Sequence, residues 1–119
     1  MHELSITESI LNSAIDEAQK NNADRIVSIY LCMGEISSIV PQCVQEYFDL
    51  LSEDTIAYGA KLFFTTIPAK IACRECGHEF SFKSMRLMCP NCQSRKVDIV
   101  SGREFYIDRL EIETDDSTK

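Results

Sequence analysis

Cys73-Arg-Glu-Cys76 is followed, after twelve residues, by Cys89-Pro-Asn-Cys92. No other feature limits the fold of this chain as strongly. A Cys-x-x-Cys knuckle lets two sulfurs from one tight turn meet a single ion, and two knuckles complete a tetrahedron. Gly77 follows the first pair, where a knuckle turn often needs positive φ, and Pro90 stiffens the second. Four thiolates leave no open position for water, so the expected site is structural zinc, not a catalytic metal. Two disulfides or a thioredoxin-like redox pair are the alternatives. The doubled pairing and a start that does not read as a secretory leader favour zinc.

The other end of the chain offers different donors. Met1-His2-Glu3 presents the α-amine of Met1, the amide nitrogen and imidazole of His2, and the carboxylate or amide of Glu3. These four N/O donors can form linked chelate rings, and such tetragonal sets suit Ni(II) or Cu(II). Amide ligation releases protons and makes binding pH-dependent. Most histidines near a chain start are only solvated, so composition by itself carries little weight here.

The 119 residues, 45% of them hydrophobic, suit one domain, or one small domain plus a metal-stapled module. No stretch reaches the ~20 apolar residues of a membrane span, and the expected location is cytoplasmic. Cys32 and Cys43 then read as reduced, small core residues. The net charge of −7 is uneven. Residues 70–98 carry six Lys/Arg and three Asp/Glu, against six and sixteen in the remainder. An acidic body disfavours non-specific nucleic-acid binding.

Ser5 and Glu8 have capping-box spacing, and Ile6, Ile10, Leu11, Ala14, Ile15 and Ala18 keep helical periodicity. A helix is expected from Ser5 to Asn21, stopped by Asn21-Asn22. Arg25 to Met33 alternates as a strand ended by Gly34. Pro41 suits the first turn of a second helix, whose core face would hold Val44, Tyr47, Phe48 and Leu51. Lys61 to Ile67 reads as a strand. Inside the cysteine module His78 to Phe82 and Val97 to Val100 read as short strands. Glu104 to Glu113 is a last strand with a phase change, which a β-bulge near Asp108-Arg109 would reconcile. The polar tail from Thr114 to Lys119 is expected to fray. The expected fold class is α+β: two helices on a small mixed β-sheet with an inserted four-cysteine zinc-ribbon module. Residues 1–68 and 102–119 would form the α/β domain and residues 69–101 the zinc-binding domain. Two chain crossings would join them, with hinges at Pro68 and Gly102.

Met1-His2-Glu3-Leu4-Ser5-Ile6, Met33-Gly34-Glu35-Ile36-Ser37 and the paired knuckles together resemble the HypA/HybF family of hydrogenase nickel-incorporation proteins. The resemblance covers nearly the whole chain. It implies a non-enzymatic nickel metallochaperone that carries labile Ni(II) and a structural Zn(II). Its implied partners are a GTPase of the nickel-insertion pathway and the [NiFe]-hydrogenase large-subunit precursor, with urease served in some organisms. It implies Met1, His2 and Glu3 as nickel ligands, His2 foremost, and Cys73, Cys76, Cys89 and Cys92 as zinc ligands. No nucleic acid or membrane is implied, and the expected state is a monomer or weak homodimer. Two positions depart from patterns seen in some members. Ile39-Val40-Pro41 lacks a carboxylate, and Gln93 stands where a histidine can follow the second knuckle. His78 fits a flanking family histidine, although a surface histidine in a hairpin explains it as well.

Two other classes compete. A nucleic-acid-associated zinc ribbon would use Arg74, Lys83, Arg86, Arg95 and Lys96, and its binding would be salt-sensitive and independent of His2. An enzyme would need a nucleophile set, a phosphate loop or an open metal position, and the sequence presents none.

Overall fold

The computed structural model of the chain describes residues 2–81 and 87–114, with His2 described through its backbone. Met1, the His2 side chain, Phe82, Lys83, Arg86 and the tail residues Asp115 to Lys119 therefore lie outside the described residues. The elements run α1 (His2–Lys20), β1 (Arg25–Gly34), α2 (Pro41–Leu51), β2 (Lys61–Ile67), β3 (Lys70–Cys73), β4 (Glu79–Ser81), β5 (Val97–Ser101) and β6 (Phe105–Glu113). They form two compact units. An α/β unit comprises Met1–Cys32, Ser38–Thr65 and Tyr106–Lys119; a ribbon unit comprises Met33–Ser37 and Thr66–Phe105.

In the α/β unit, the apolar stripe of α1 does what its periodicity implies: Ile10, Leu11, Ala14 and Ala18 are buried. They share the core with Val44 and Phe48 of α2 and with Ile26, Ile29 and Leu31 of β1. Leu62 comes from β2, and the strand order is β2-β1-β6. The helix begins three residues before the expected Ser5 cap. Ser5 is thus inside the helix, and the capping-box reading is wrong at this end. Instead the buried Thr7 hydroxyl donates to the Glu3 carbonyl, one turn back, a bond that Thr makes readily within a helix. Asn22 ends the helix in the left-handed region at φ 56°, as the Asn pair implied. Pro41 opens α2 at its first turn. Tyr47, assigned above to the core face of α2, is 39% exposed. Cys32 and Cys43 are half-buried, at the margin of the core and not within it.

The alternation of β6 changes phase where the sequence does. Phe105, Ile107, Leu110 and Ile112 are half-buried, whereas Asp108 and Arg109 are consecutive exposed residues. One additional residue in a strand has this effect. Across the sheet, the Tyr30 ring stacks on Phe63 at 4.9 Å, the Arg109 guanidinium lies 4.0 Å over Tyr30, and the Tyr30 hydroxyl donates to Glu111 at 3.2 Å. Cross-strand contacts of this kind help to hold neighbouring strands in place.

The ribbon unit is a separate three-stranded sheet of order β4-β3-β5. β3 runs antiparallel to both neighbours, and a bulge in β5 sets Lys70 opposite Ser101 but Ile71 opposite Ile99. The sequence reading missed β3, because four residues ending at a ligand cysteine are too few to show alternation.

The ribbon unit also takes in Met33–Ser37, which the sequence reading placed in the α/β domain. Its backbone explains why. Gly34 N–H donates to the Glu104 carbonyl at 2.7 Å, Glu35 N–H to Ile67 at 2.8 Å and Ile36 N–H to Gly102 at 2.8 Å. The Glu35 carboxylate accepts the Ala69 N–H at 2.7 Å. The chain thus passes between the units four times, not twice. Pro68 and Gly102, the expected hinges, lie inside the ribbon unit, where Ser101 Oγ donates to the Pro68 carbonyl.

Gly34 is required here by space. A Cβ built on it would sit 2.0 Å from the Gly102 carbonyl oxygen and 2.5 Å from Arg103 N. Both are backbone atoms, which cannot rotate aside. Gly34→Ala should therefore destabilise the protein by about 3 kcal/mol, at the upper end of overpacking costs. Denaturant unfolding checks this, and a loss below about 1 kcal/mol would show that the strap can shift freely.

Candidate metal centres

Each knuckle follows a strand or loop that fixes its first sulfur inside and its second outside. Cys73 ends β3 and is 3% exposed; Cys89 is fully buried; Cys76 and Cys92 are exposed. The turns are built alike. Gly77 N–H donates to the Cys73 carbonyl at 3.0 Å, and Gln93 N–H to the Cys89 carbonyl at 2.8 Å. Both residues are left-handed, with φ 77° and 60°. At Gly77 this is free of steric cost, but at Gln93 the turn imposes it on a side-chain-bearing residue. Amides point at the inner sulfurs. Cys73 Sγ accepts from Glu75 N–H at 3.4 Å and Cys76 N–H at 3.5 Å, and Cys89 Sγ accepts from Asn91 N–H at 3.3 Å.

These constraints bring all four sulfurs within 4.8 Å of one another. Cys73 and Cys92 are 3.6 Å apart, as are Cys76 and Cys89. A disulfide needs about 2.05 Å. A tetrahedron with metal–sulfur bonds of about 2.3 Å has edges near 3.8 Å. The donor set therefore fits one tetrahedral thiophilic ion and no disulfide.

Hydrogen bonding divides acidity unevenly among the four thiols. The Asn91 side-chain amide, 3.6 Å from Cys76 Sγ, holds that thiol down to about 6, with help from the His78 N–H. Cys73 is also lowered, chiefly by the Cys76 N–H. The Ser94 N–H pulls Cys92 down, yet the Cys73 sulfur, then desolvation and the other two sulfurs, together outweigh it and push the thiol up to about 12. A bound cation reverses that crowding and ionises all four. His78 is not among the clustered donors. Its ring stacks on Phe80 at 6.1 Å, and its carbonyl accepts the Cys73 N–H at 2.9 Å. In the structure it is a hairpin residue.

At the chain start, only Glu3 of the three expected nickel ligands has a described side chain. Its carboxylate accepts the Val40 N–H at 3.3 Å. Val40 is the N-cap of α2 and has no side-chain cap of its own. Glu3 thus does for α2 what the glutamate of a capping box does within one helix. It draws the start of α1 to the start of α2. Sequence reasoning passed over Val40 because its contribution is a backbone N–H, which no side-chain pattern marks. No helix of the described residues is long and apolar enough to cross a membrane.

An α/β unit joined to a ribbon with four converging thiolates defines a metal-handling protein. Residues 1–112 match the family model described as "Hydrogenase/urease nickel incorporation, metallochaperone, hypA". The hydrogenase maturation factor HypA of Dehalococcoides mccartyi strain CBDB1 is 42% identical over 113 residues, covering 95% of both chains. A solved HypA protein superposes with TM-score 0.73 at 26% identity, covering 97% of this chain and 98% of its own. The Ni metallochaperone HypA from Helicobacter pylori, at 23% identity, shares the fold with TM-score 0.68 over 95% of this chain and 98% of its own. The chain belongs to the HypA family: it is a nickel metallochaperone of hydrogenase maturation and not an enzyme.

Proposed function

We propose that the chain carries Ni(II) at its N-terminus, on Met1, His2 and Glu3, and holds structural Zn(II) on Cys73, Cys76, Cys89 and Cys92. It would deliver nickel, together with a GTPase of the insertion pathway, to the [NiFe]-hydrogenase large-subunit precursor, and to urease where one is present. The observation that carries the nickel reading is the helical start at His2 with Glu3 anchored on Val40. The first backbone N–H groups of a helix have no acceptor within it. The amide nitrogens beside the Met1 amine are therefore not committed to the helix ladder. The positive end of the helix dipole opposes a bare cation but favours the ionised amide that a chelate needs. Binding then depends on donors that lose protons, and it weakens as pH falls.

The zinc reading rests on the 3.6 Å sulfur separations and on thiolate softness. Residues 1–68 and 102–119 would serve as the nickel-binding domain and 69–101 as the zinc domain, with Met33–Ser37 strapped to the latter. The protein would work in the cytoplasm as a monomer or weak homodimer, away from membranes and nucleic acid. Two cations of the competing basic patch are already engaged, Arg74 with Asp98 at 3.5 Å and Lys96 with Glu75 at 3.8 Å.

Metal analysis and Ni(II) titration of the purified protein test the proposal. The expected result is one zinc that resists dialysis and one further nickel that a chelator removes. A zinc-loaded protein that binds no nickel sinks the N-terminal site.

A further inference from the structure

Among its described residues, the α/β unit has an open strand edge beside a groove. β6 is the outer strand of its sheet, and among the described residues no strand pairs with its far side. A groove of about 580 Å³ lies between β6 and α1. Its floor is apolar, with Ala18 on the helix and Ile107, Leu110 and Ile112 on the strand. Glu17 and Asp108 are exposed among its lining residues. Neither makes an ion pair among the described residues. The one cation in the lining, Arg109, is turned onto the Tyr30 ring at 4.0 Å.

An extended segment added to such an edge gains backbone hydrogen bonds, and every second side chain reaches the groove. Charge decides between occupants. The α/β unit carries fourteen acidic and five basic residues. A second copy would bring the same acidic surface against this one, whereas a basic strand would find complementary charge. We propose that the α1–β6 groove is a docking site for an extended segment of a partner protein, apolar at alternate positions with lysine or arginine between them. The site is separate from both metal centres and does not depend on either.

The test uses the full-length, zinc-loaded protein and two fluorescein-labelled heptapeptides, Lys-Ile-Arg-Val-Lys-Ile-Thr and its counterpart with glutamate at each basic position. Fluorescence anisotropy should show saturable binding of the basic peptide and none of the acidic one. Amide NMR shifts should fall on residues 13–21 and 107–112. Reversing two exposed charges of β6 on the side that the basic residues would face, Asp108→Lys with Glu111→Lys, should leave the fold intact and weaken binding about tenfold, as loss of two attractions and gain of two repulsions at a half-solvated surface implies. Any of three results overturns the proposal: no saturable binding of the basic peptide, equal affinity in the double variant, or shifts confined to other elements. A fourth is a shift of the β6 amides with protein concentration alone, which would assign the edge to a second copy.

Discussion

Cys89→Ser should empty the thiolate site and unfold the ribbon unit while the α/β unit stays folded. The asymmetry follows from where each unit keeps its apolar residues. The α/β unit buries Phe48, Ile26, Ile29, Leu31 and Val44 completely. Among the described residues of the ribbon unit, Ile71 is the one large apolar side chain that is fully buried, beside Ala69, Cys73 and Cys89. A unit of 45 residues in two segments is below the size at which an apolar core usually suffices. The metal must supply the difference. Structural zinc contributes roughly 10–16 kcal/mol of apparent binding energy in small zinc modules, which is as large as the whole reserve of a small domain. Hydrogen exchange on the whole chain checks this. Amides of β3 and β5 should lose protection in Cys89→Ser or after chelation, while those of β1 and α1 keep theirs. Cys92→Ser should be milder, because that sulfur is exposed and a three-thiolate site with water can persist. Equal protection in Cys89→Ser and wild type would show that the ribbon folds without metal.

The parts of this architecture that were legible in the sequence are those with a short-range physical signature. Two knuckles announce a tetrahedral site because spacing and chemistry are both local. The stripe of α1, the alternation of β1, the apolar run of β2 and Pro41 at the head of α2 were read from local pattern and backbone preference alone. The phase change in β6 was also visible, since Ile107 and Leu110 cannot share a face in a regular strand. What escaped were long-range backbone contacts. Nothing beside Gly34 in the chain says that it must lie against Gly102, 68 positions away. Glu35 looks like one more surface carboxylate until its bond to the Ala69 N–H is seen. The Ser5 cap failed for a different reason. Its spacing to Glu8 is genuine, but the helix already runs from His2, so Ser5 lies within it and its hydroxyl has no helix start to cap.

His2→Ala should remove nickel binding and leave zinc and fold unchanged. In the proposed site the imidazole would be one of four donors, closing a chelate ring with its own amide nitrogen. A methyl group cannot replace either function. Outer-shell partners of a metal are worth about 10–100-fold in affinity, so loss of a direct ligand should cost at least about a hundredfold. The four thiolates lie in the ribbon unit and His2 in the α/β unit, so zinc content should stay at one per chain. Glu3 separates coordination from architecture. Glu3→Gln retains an oxygen able to accept the Val40 N–H but removes the charge, whereas Glu3→Ala removes both. If Glu3 chiefly draws α1 to α2, the glutamine variant should bind nickel nearly as wild type does and the alanine variant should bind it weakly. If its carboxylate ligates the ion, both should bind weakly. Isothermal titration of the three variants, with zinc measured in each, distinguishes these outcomes. Unchanged nickel affinity in His2→Ala would remove the N-terminus from the carrier's mechanism.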